Sequence, residues 1–210
     1  MGSYLREGIQ AEGTILSIIC SADSIVDSFS SILTLGRRLL MEIERKYLMP
    51  GFKVEDFSIL MTARILQYYV SDKPEIRIRQ IINDQDMVRY VFTYKGEGTL
   101  TREEHEFEIT ENDFNNLRNK FCTVGVISKT RYTIKVDGRM LEVDVYQGSL
   151  EGLITAEIEF GSVEAAKNYQ PPEWLAPYLG EDVTENELYK NRNLYKISSE
   201  KFGNTGANEA

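Results

Sequence analysis

From residue 41 onward the chain alternates apolar and polar positions with a period of two. Residues 100–109 set their side chains to opposite faces one by one. The same period recurs in residues 41–48, 63–70, 75–82, 87–95, 126–136, 140–146 and 153–160. A period of two is the signature of a β-strand, so eight strands are predicted. Turn chemistry separates them: Ser71-Asp-Lys-Pro-Glu, Asn83-Asp-Gln-Asp, Gly96-Glu-Gly98 and Asp137-Gly138. The last is a two-residue hairpin signal, and short connections of this kind join antiparallel neighbours.

Helical spacing interrupts the strands. Residues 53–61 place Val54, Phe57, Leu60 and Met61 on one helical face. Thr110 followed by Glu111 and Asp113 reads as a cap and an acidic first turn, for a helix reaching about Phe121. Residues 162–168 read as a capped helix that Pro171-Pro172 ends, and a short helical stretch runs through Tyr195. Eight is the strand count at which an antiparallel sheet closes into a small barrel. The expected fold is therefore α+β, mainly β: an eight-stranded antiparallel closed barrel with flanking helices.

Residues 1–40 have a different texture. Residues 14–35 are apolar and serine-rich, but Asp23 and Asp27 break the run too often for a membrane span. The basic pair Arg37-Arg38 follows the apolar run, the reverse of a signal peptide. The natural domain is expected to begin at Met41. Residues 1–40 are then an appendage, a mis-assigned start or a helix packed on the domain. The domain spans 41–196, and 197–210 form a disordered tail.

The net charge of −9 argues against broad binding to nucleic acid or to an anionic membrane, while leaving room for a local basic pocket. The two cysteines, Cys20 and Cys122, form no CxxC pair and fit a reducing cytoplasm. Cys122 reads as a small buried hydrophobe, and Tyr132 and Trp174 as packing residues. His105 is the single histidine, which argues against a histidine-based zinc site. Any metal would be held by carboxylate oxygens, which favours Mg²⁺ or Mn²⁺.

The chemistry lies in charges that share a strand face. Glu42, Glu44 and Lys46 point to one side of the first strand, about 6–7 Å apart in succession. Arg77 and Arg79 share a face, as do Arg89, Thr93 and Lys95. So do Arg102, Glu104, Glu106 and Glu108, then Lys129, Arg131 and Lys135, then Glu142 and Asp144, and finally Glu157 and Glu159. A charged strand face is ordinarily a solvated one. Against that stands its recurrence over seven strands, with acids gathered on the first and last strands and bases on the middle ones. In a closed barrel the first and last strands are neighbours, which gives an acidic wall facing a basic wall. Carboxylates collect divalent cations, and guanidinium forks grip phosphate oxygens. Such a lumen suits a metal-chelated polyphosphate.

The ordered series Glu42-Ile-Glu-Arg-Lys46, Arg77-Ile-Arg79, Thr93-Tyr-Lys95-Gly96, Arg102-Glu-Glu104-His-Glu106-Phe-Glu108, Lys129-Thr-Arg131-Tyr132, Glu142-Val-Asp144 and Ala156-Glu157-Ile-Glu159 resembles the CYTH domain family, the triphosphate tunnel metalloenzymes. Tyr189-Lys-Asn191-Arg-Asn193-Leu194 is similar to a C-terminal stretch of the short bacterial members. The 40-residue extension ahead of the ExExK stretch departs from the family pattern.

The resemblance implies a tunnel that binds a triphosphate and divalent metal, and the short bacterial members are chiefly inorganic tripolyphosphatases. The expected activity is hydrolysis of a phosphoric anhydride, tripolyphosphate giving diphosphate and phosphate. On this resemblance Glu42, Glu44, Glu142, Asp144, Glu157 and Glu159 would hold Mg²⁺ or Mn²⁺. Lys46, Arg77, Arg79, Lys95, Arg102, Lys129 and Arg131 would position the small-molecule substrate. Glu44, Lys46, Lys95 and Glu159 would carry catalysis. The protein would be cytoplasmic, a monomer or homodimer, with no nucleic-acid or membrane partner.

Three rival activities sit on the same fold: thiamine-triphosphatase, a class IV type of adenylate cyclase, and a module that binds polyphosphate or nucleotide without hydrolysis. The cyclase needs a 3′-hydroxyl placed at the α-phosphorus, and no distinct nucleotide motif is present. Pure anion binding would need only the basic wall.

Overall fold

The computed structural model describes residues 40–41, 43–95, 103–122 and 125–205. All of them belong to one unit that begins at Leu40. The extension before it lies outside the described residues, as do the site candidates Glu42 and Arg102.

Nine antiparallel strands form one sheet: β1 (Leu40–Met41), β2 (Glu44–Leu48), β3 (Ile59–Asp72), β4 (Glu75–Asn83), β5 (Val88–Lys95), β6 (Glu103–Glu108), β7 (Ile127–Val136), β8 (Arg139–Gln147) and β9 (Ile154–Glu159). Their order across the sheet is β1-β6-β5-β4-β3-β7-β8-β9-β2. β1 and β2 are successive pieces of the first predicted strand, separated by Glu42 and Ile43, yet they occupy the two opposite edges. The chain itself therefore holds the two edges together and rolls the sheet around a central space.

The expected closed barrel is corrected in one respect: hydrogen bonds do not close the sheet. The outer edge of β2 is occupied by residues 180–184 instead of β6. Gly180 N donates to Leu48 O at 2.7 Å, Leu48 N to Glu181 O at 2.9 Å, and Val183 N to Lys46 O at 2.8 Å. With those groups satisfied, β2 has no ladder left to offer a further strand.

The local elements follow their sequence signals. Asp137 and Gly138 both adopt positive φ, 48° and 80°, as the two-residue β7–β8 hairpin requires. Helix α1 (Glu111–Phe121) is capped by Thr110, whose side chain accepts from Asp113 N at 3.1 Å. Helix α2 (Val163–Asn168) is capped by Ser162 in the same way.

The helix expected over residues 53–61 is a correction. Only Val54–Asp56 makes a 3₁₀ turn, and β3 already begins at Ile59. Phe57 packs against Phe52 and Tyr178, whereas Leu60 and Met61 stay half exposed. The four apolar residues therefore never shared one buried face. Pairing Ile59 with Ile134 and Met61 with Thr133 extends the β3–β7 ladder instead. At the other end, helix α3 (Asn191–Thr205) continues past Tyr195, into the stretch expected to be a disordered tail.

The outer faces of the strands make the core. Ile134, Val136, Leu141, Val143, Ala156 and Ile158 pack beneath α2 and residues 169–179, each fully buried aliphatic side chain contributing about 1.5–3 kcal/mol. Helix α1 covers the outside of β3–β5 through Phe114 and Leu117. A third group, Tyr69, Ile127, Tyr146, Leu150, Leu194 and Tyr195, seats α3 across one end of the roll. No helix among the described residues is long and apolar enough to cross a membrane.

Candidate active site

With the apolar faces turned outward, the charged faces turn in. They line a cavity of about 770 Å³. Glu44 and Lys46 from β2, Arg77 and Arg79 from β4, Lys95 from β5, Lys129 and Arg131 from β7, Glu142 from β8, and Glu157 and Glu159 from β9 all border it. Asp144 stands on the same face of β8, fully buried between Lys129 and Arg131. Of the candidate site residues, Glu42 and Arg102 lie outside the described residues.

Sequence order becomes charge order around the roll. Acids of β8, β9 and β2 are contiguous, β2 and β9 pairing Glu44 with Glu159 and Lys46 with Glu157. Arg131 pairs directly across from Asp144, so the basic and acidic sectors abut at β7–β8 as well as facing one another. They meet again at β5–β6.

Ion pairs stitch these junctions. Arg131 donates to Asp144 through Nε and Nη2 at 2.7 and 2.8 Å, to Glu157 at 3.2 Å, and also to Glu142. Lys129 Nζ meets Asp144 at 2.5 Å, and Lys46 Nζ meets Glu157 at 2.8 Å. Arg77 and Lys95 share Glu104, at 3.1 and 2.5 Å, while Arg79 pairs with Glu106.

Burial and these partners set the charges. Burial opposes the charged form of Asp144, but Arg131 and Lys129 outweigh it and hold the carboxyl below its usual range. Glu157 is likewise held well below its range, burial being overcome by Lys46 and Arg131. Lys46 is held above its usual value, Glu157 prevailing over burial. Lys129 goes the other way. Burial pulls it down to about 8, because the fork of Arg131 already engages Asp144 and its like charge lies beside the ammonium. Burial, with Arg77 nearby, lowers Arg79 to about 10, leaving it cationic at neutral pH.

Two donors are left over. Arg77 Nε and Arg79 Nε are buried and have no hydrogen-bond partner in the protein. A buried guanidinium N–H without an acceptor costs about 1–3 kcal/mol. The carboxylates do not form a single metal cage: no three metal-ligating side chains converge among the described residues. Glu142, Asp144 and Glu157 are engaged by cations of the lumen, and Glu44 and Glu159, directly opposite in the β2–β9 pairing, also border the cavity.

The pairing roles of Glu104 and Glu106 were legible only as positions on a shared face. The lining supplied by residues 183–186 and 189–192 carried no periodic signal. Away from the site, burial pushes the Cys122 thiol up to about 11, unsuited to a nucleophile. Tyr132 packs on Phe52 at 5.5 Å.

Comparison with known proteins agrees with this geometry. No family model matches the chain. The chain is 36% identical over 157 residues to the inorganic triphosphatase of Nitrosomonas europaea, covering 74% of this chain and 97% of that protein. It is 31% identical over 162 residues to the inorganic triphosphatase of Acetivibrio thermocellus, covering 77% and 97%. Among solved structures, the inorganic triphosphatase NE1496 superposes with a TM-score of 0.53 at 32% identity, over 76% of this chain and 97% of that one.

Proposed function

The chain belongs to the family of inorganic triphosphatases, and on that premise we propose that its charged cavity hydrolyses inorganic tripolyphosphate to diphosphate and phosphate, as a triphosphate tunnel of the CYTH type. The observation that carries this reading is the rank of cations, Lys46, Arg77, Arg79, Lys95, Lys129 and Arg131, that border one cavity. Arginine forks match phosphate oxygens, and lysines supply compact positive charge.

Arg77, Arg79, Lys129 and Arg131 would bind and orient the triphosphate along β4 and β7. Glu104, Glu106 and Asp144 hold those cations in fixed rotamers, so the positive field is in place before the substrate arrives. Such preorganisation lowers the barrier for a reaction whose catalysis is mainly positioning and charge stabilisation. Lys46 and Lys95, set by Glu157 and Glu104, add positive charge from two other strands. A water in line with the departing diphosphate would then attack the terminal phosphorus.

Glu44 and Glu159 fit a Mg²⁺ or Mn²⁺ site, since such ions are held by one or two carboxylates plus substrate phosphates instead of an all-protein cage. When bound, the ion would supply Lewis-acid polarisation of a phosphoryl oxygen.

The test is phosphate release from tripolyphosphate, with ATP and thiamine triphosphate alongside, with and without Mg²⁺ or Mn²⁺. Rapid metal-dependent release from tripolyphosphate and little from the other two supports the reading. Release confined to thiamine triphosphate, or cyclic AMP formed from ATP, refutes it in favour of the rival activities.

A further inference from the structure

The wall that hydrogen bonds leave open is completed by the segment between β2's outer neighbour and helix α3. Tyr189, Lys190, Asn191 and Arg192 border the same cavity as Arg77 and Lys129. Asn191 is fixed there, its side-chain oxygen accepting from the buried Tyr146 hydroxyl at 2.8 Å. The next residues therefore present two further cations, Lys190 and Arg192, to the cavity.

Both cations are turned to one carboxylate. Glu187 binds Lys190 Nζ and accepts from Arg192 Nη2 at 2.8 Å, and it does not itself border the cavity. Its backbone oxygen is held by Asn193 Nδ2 at 2.7 Å, which sets the carboxylate beside the first turn of α3. The Glu187 side chain is 51% exposed, against 22% and 32% for its partners. Half-exposed pairs of this kind are weak, and a phosphate oxygen is a stronger partner for an arginine fork. Arg77, Lys95, Lys129 and Arg131 of the lumen are paired to the buried acids Glu104 and Asp144. Lys190 and Arg192 are paired to one that water can solvate once it is released.

We propose that Lys190 and Arg192 form a second phosphate subsite on the C-terminal wall of the cavity, with Glu187 as the internal carboxylate that a polyphosphate displaces. The inference rests on the triphosphate reading and extends it. A chain of phosphates long enough to span from β4 and β7 to α3 engages both cation groups, whereas orthophosphate engages one. Glu187 then sets affinity by competition, without touching the substrate.

Calorimetric titration with tripolyphosphate, in the absence of divalent metal, tests this in the full-length wild type and in Glu187→Gln, Lys190→Gln and the double variant. Binding is read directly, so the outcome stands whether or not the protein turns the substrate over. Hydrolysis by the wild type is scored separately and judges the functional reading alone.

Glu187→Gln is expected to tighten Kd by about two- to fivefold. Lys190→Gln should weaken it by about tenfold, and Lys190→Arg should restore it. In the double variant the gain from Glu187→Gln should shrink, because one of the two cations it releases is gone. Lys196→Gln, an exposed cation of the same helix paired with Asp72, controls for net charge. An unchanged Kd in Glu187→Gln, or a loss in Lys190→Gln no larger than in Lys196→Gln, would overturn the subsite.

Discussion

Replacing Asp144 by Asn removes one charge from the most enclosed ion-pair network of the protein while keeping its shape. Asp144 is fully buried and accepts from Arg131 twice, at 2.7 and 2.8 Å, and from Lys129 at 2.5 Å. Asn is nearly isosteric, so no cavity contributes, and the effect is electrostatic. Removing one partner of a buried pair costs about 3–5 kcal/mol, because it strands the remaining charge. Arg131 retains Glu142 and Glu157, which places the expected loss at the lower end, about 3 kcal/mol. For a chain of this size that lowers Tm by about 6–12 °C.

The pH dependence follows from the same pair. The carboxyl is held below its ordinary value in the folded state. Its contribution is therefore complete above the ordinary carboxylate range, and is lost as pH falls through the depressed folded value. Thermal unfolding from pH 7 downward, read by circular dichroism, should show the difference between wild type and Asp144→Asn narrowing in acid. Glu108→Gln is the control, since Glu108 and its partner Arg89 are 64% and 61% exposed and a surface change of this kind stays within about 0.5 kcal/mol. A Tm for Asp144→Asn no lower than that of Glu108→Gln would refute the assignment of a preorganised buried network.

Lys129 should register substrate as a proton. Its ammonium is lowered to about 8 in the free protein, and a bound polyanion restores the charged form. Between pH 8 and the ordinary lysine value, tripolyphosphate binding is then accompanied by proton uptake. Calorimetry in two buffers of different ionisation enthalpy measures that uptake, and Lys129→Met should abolish it. Arg79→Gln is expected to weaken tripolyphosphate binding by about ten- to a hundredfold and to flatten its salt dependence. Equal affinity and an unchanged salt slope would show that Arg79 does not bind phosphate.

The strand faces were legible because period two is local. Arg77 and Arg79, Lys129 and Arg131, and Glu157 and Glu159 needed only alternation to be placed together, and all six border one cavity or its ion pairs. Opposite edges were harder. The expectation that the first and last strands are neighbours holds for β2 and β9, but the first strand splits at Glu42–Ile43, and β1 leaves to pair with β6. No sequence signal marked residues 180–184 as the occupant of β2's free edge, because its backbone bonds need no particular residue and its side-chain contacts, Asp182 on Arg45 and Thr184 on Lys46 N, join positions far apart in the sequence. Residues 53–61 misled for a related reason. Their apolar spacing matches a helix, yet Phe57 is used by an aromatic cluster, Met61 borders the cavity and Leu60 stays exposed. The stretch holding Lys190 and Arg192 was legible as a resemblance to the short bacterial members, but its place on the cavity was not, because only the fold brings it there.

The central claim is that the opposed carboxylates Glu44 and Glu159 and the facing cations form one hydrolytic site for tripolyphosphate. The most direct measurement is the initial rate of phosphate release from tripolyphosphate with Mg²⁺ or Mn²⁺, by wild type and by Glu159→Gln at matched thermal stability. Metal-dependent release by the wild type, abolished in Glu159→Gln with the fold retained, is the expected result. Normal metal-dependent turnover in a stable Glu159→Gln variant would contradict it.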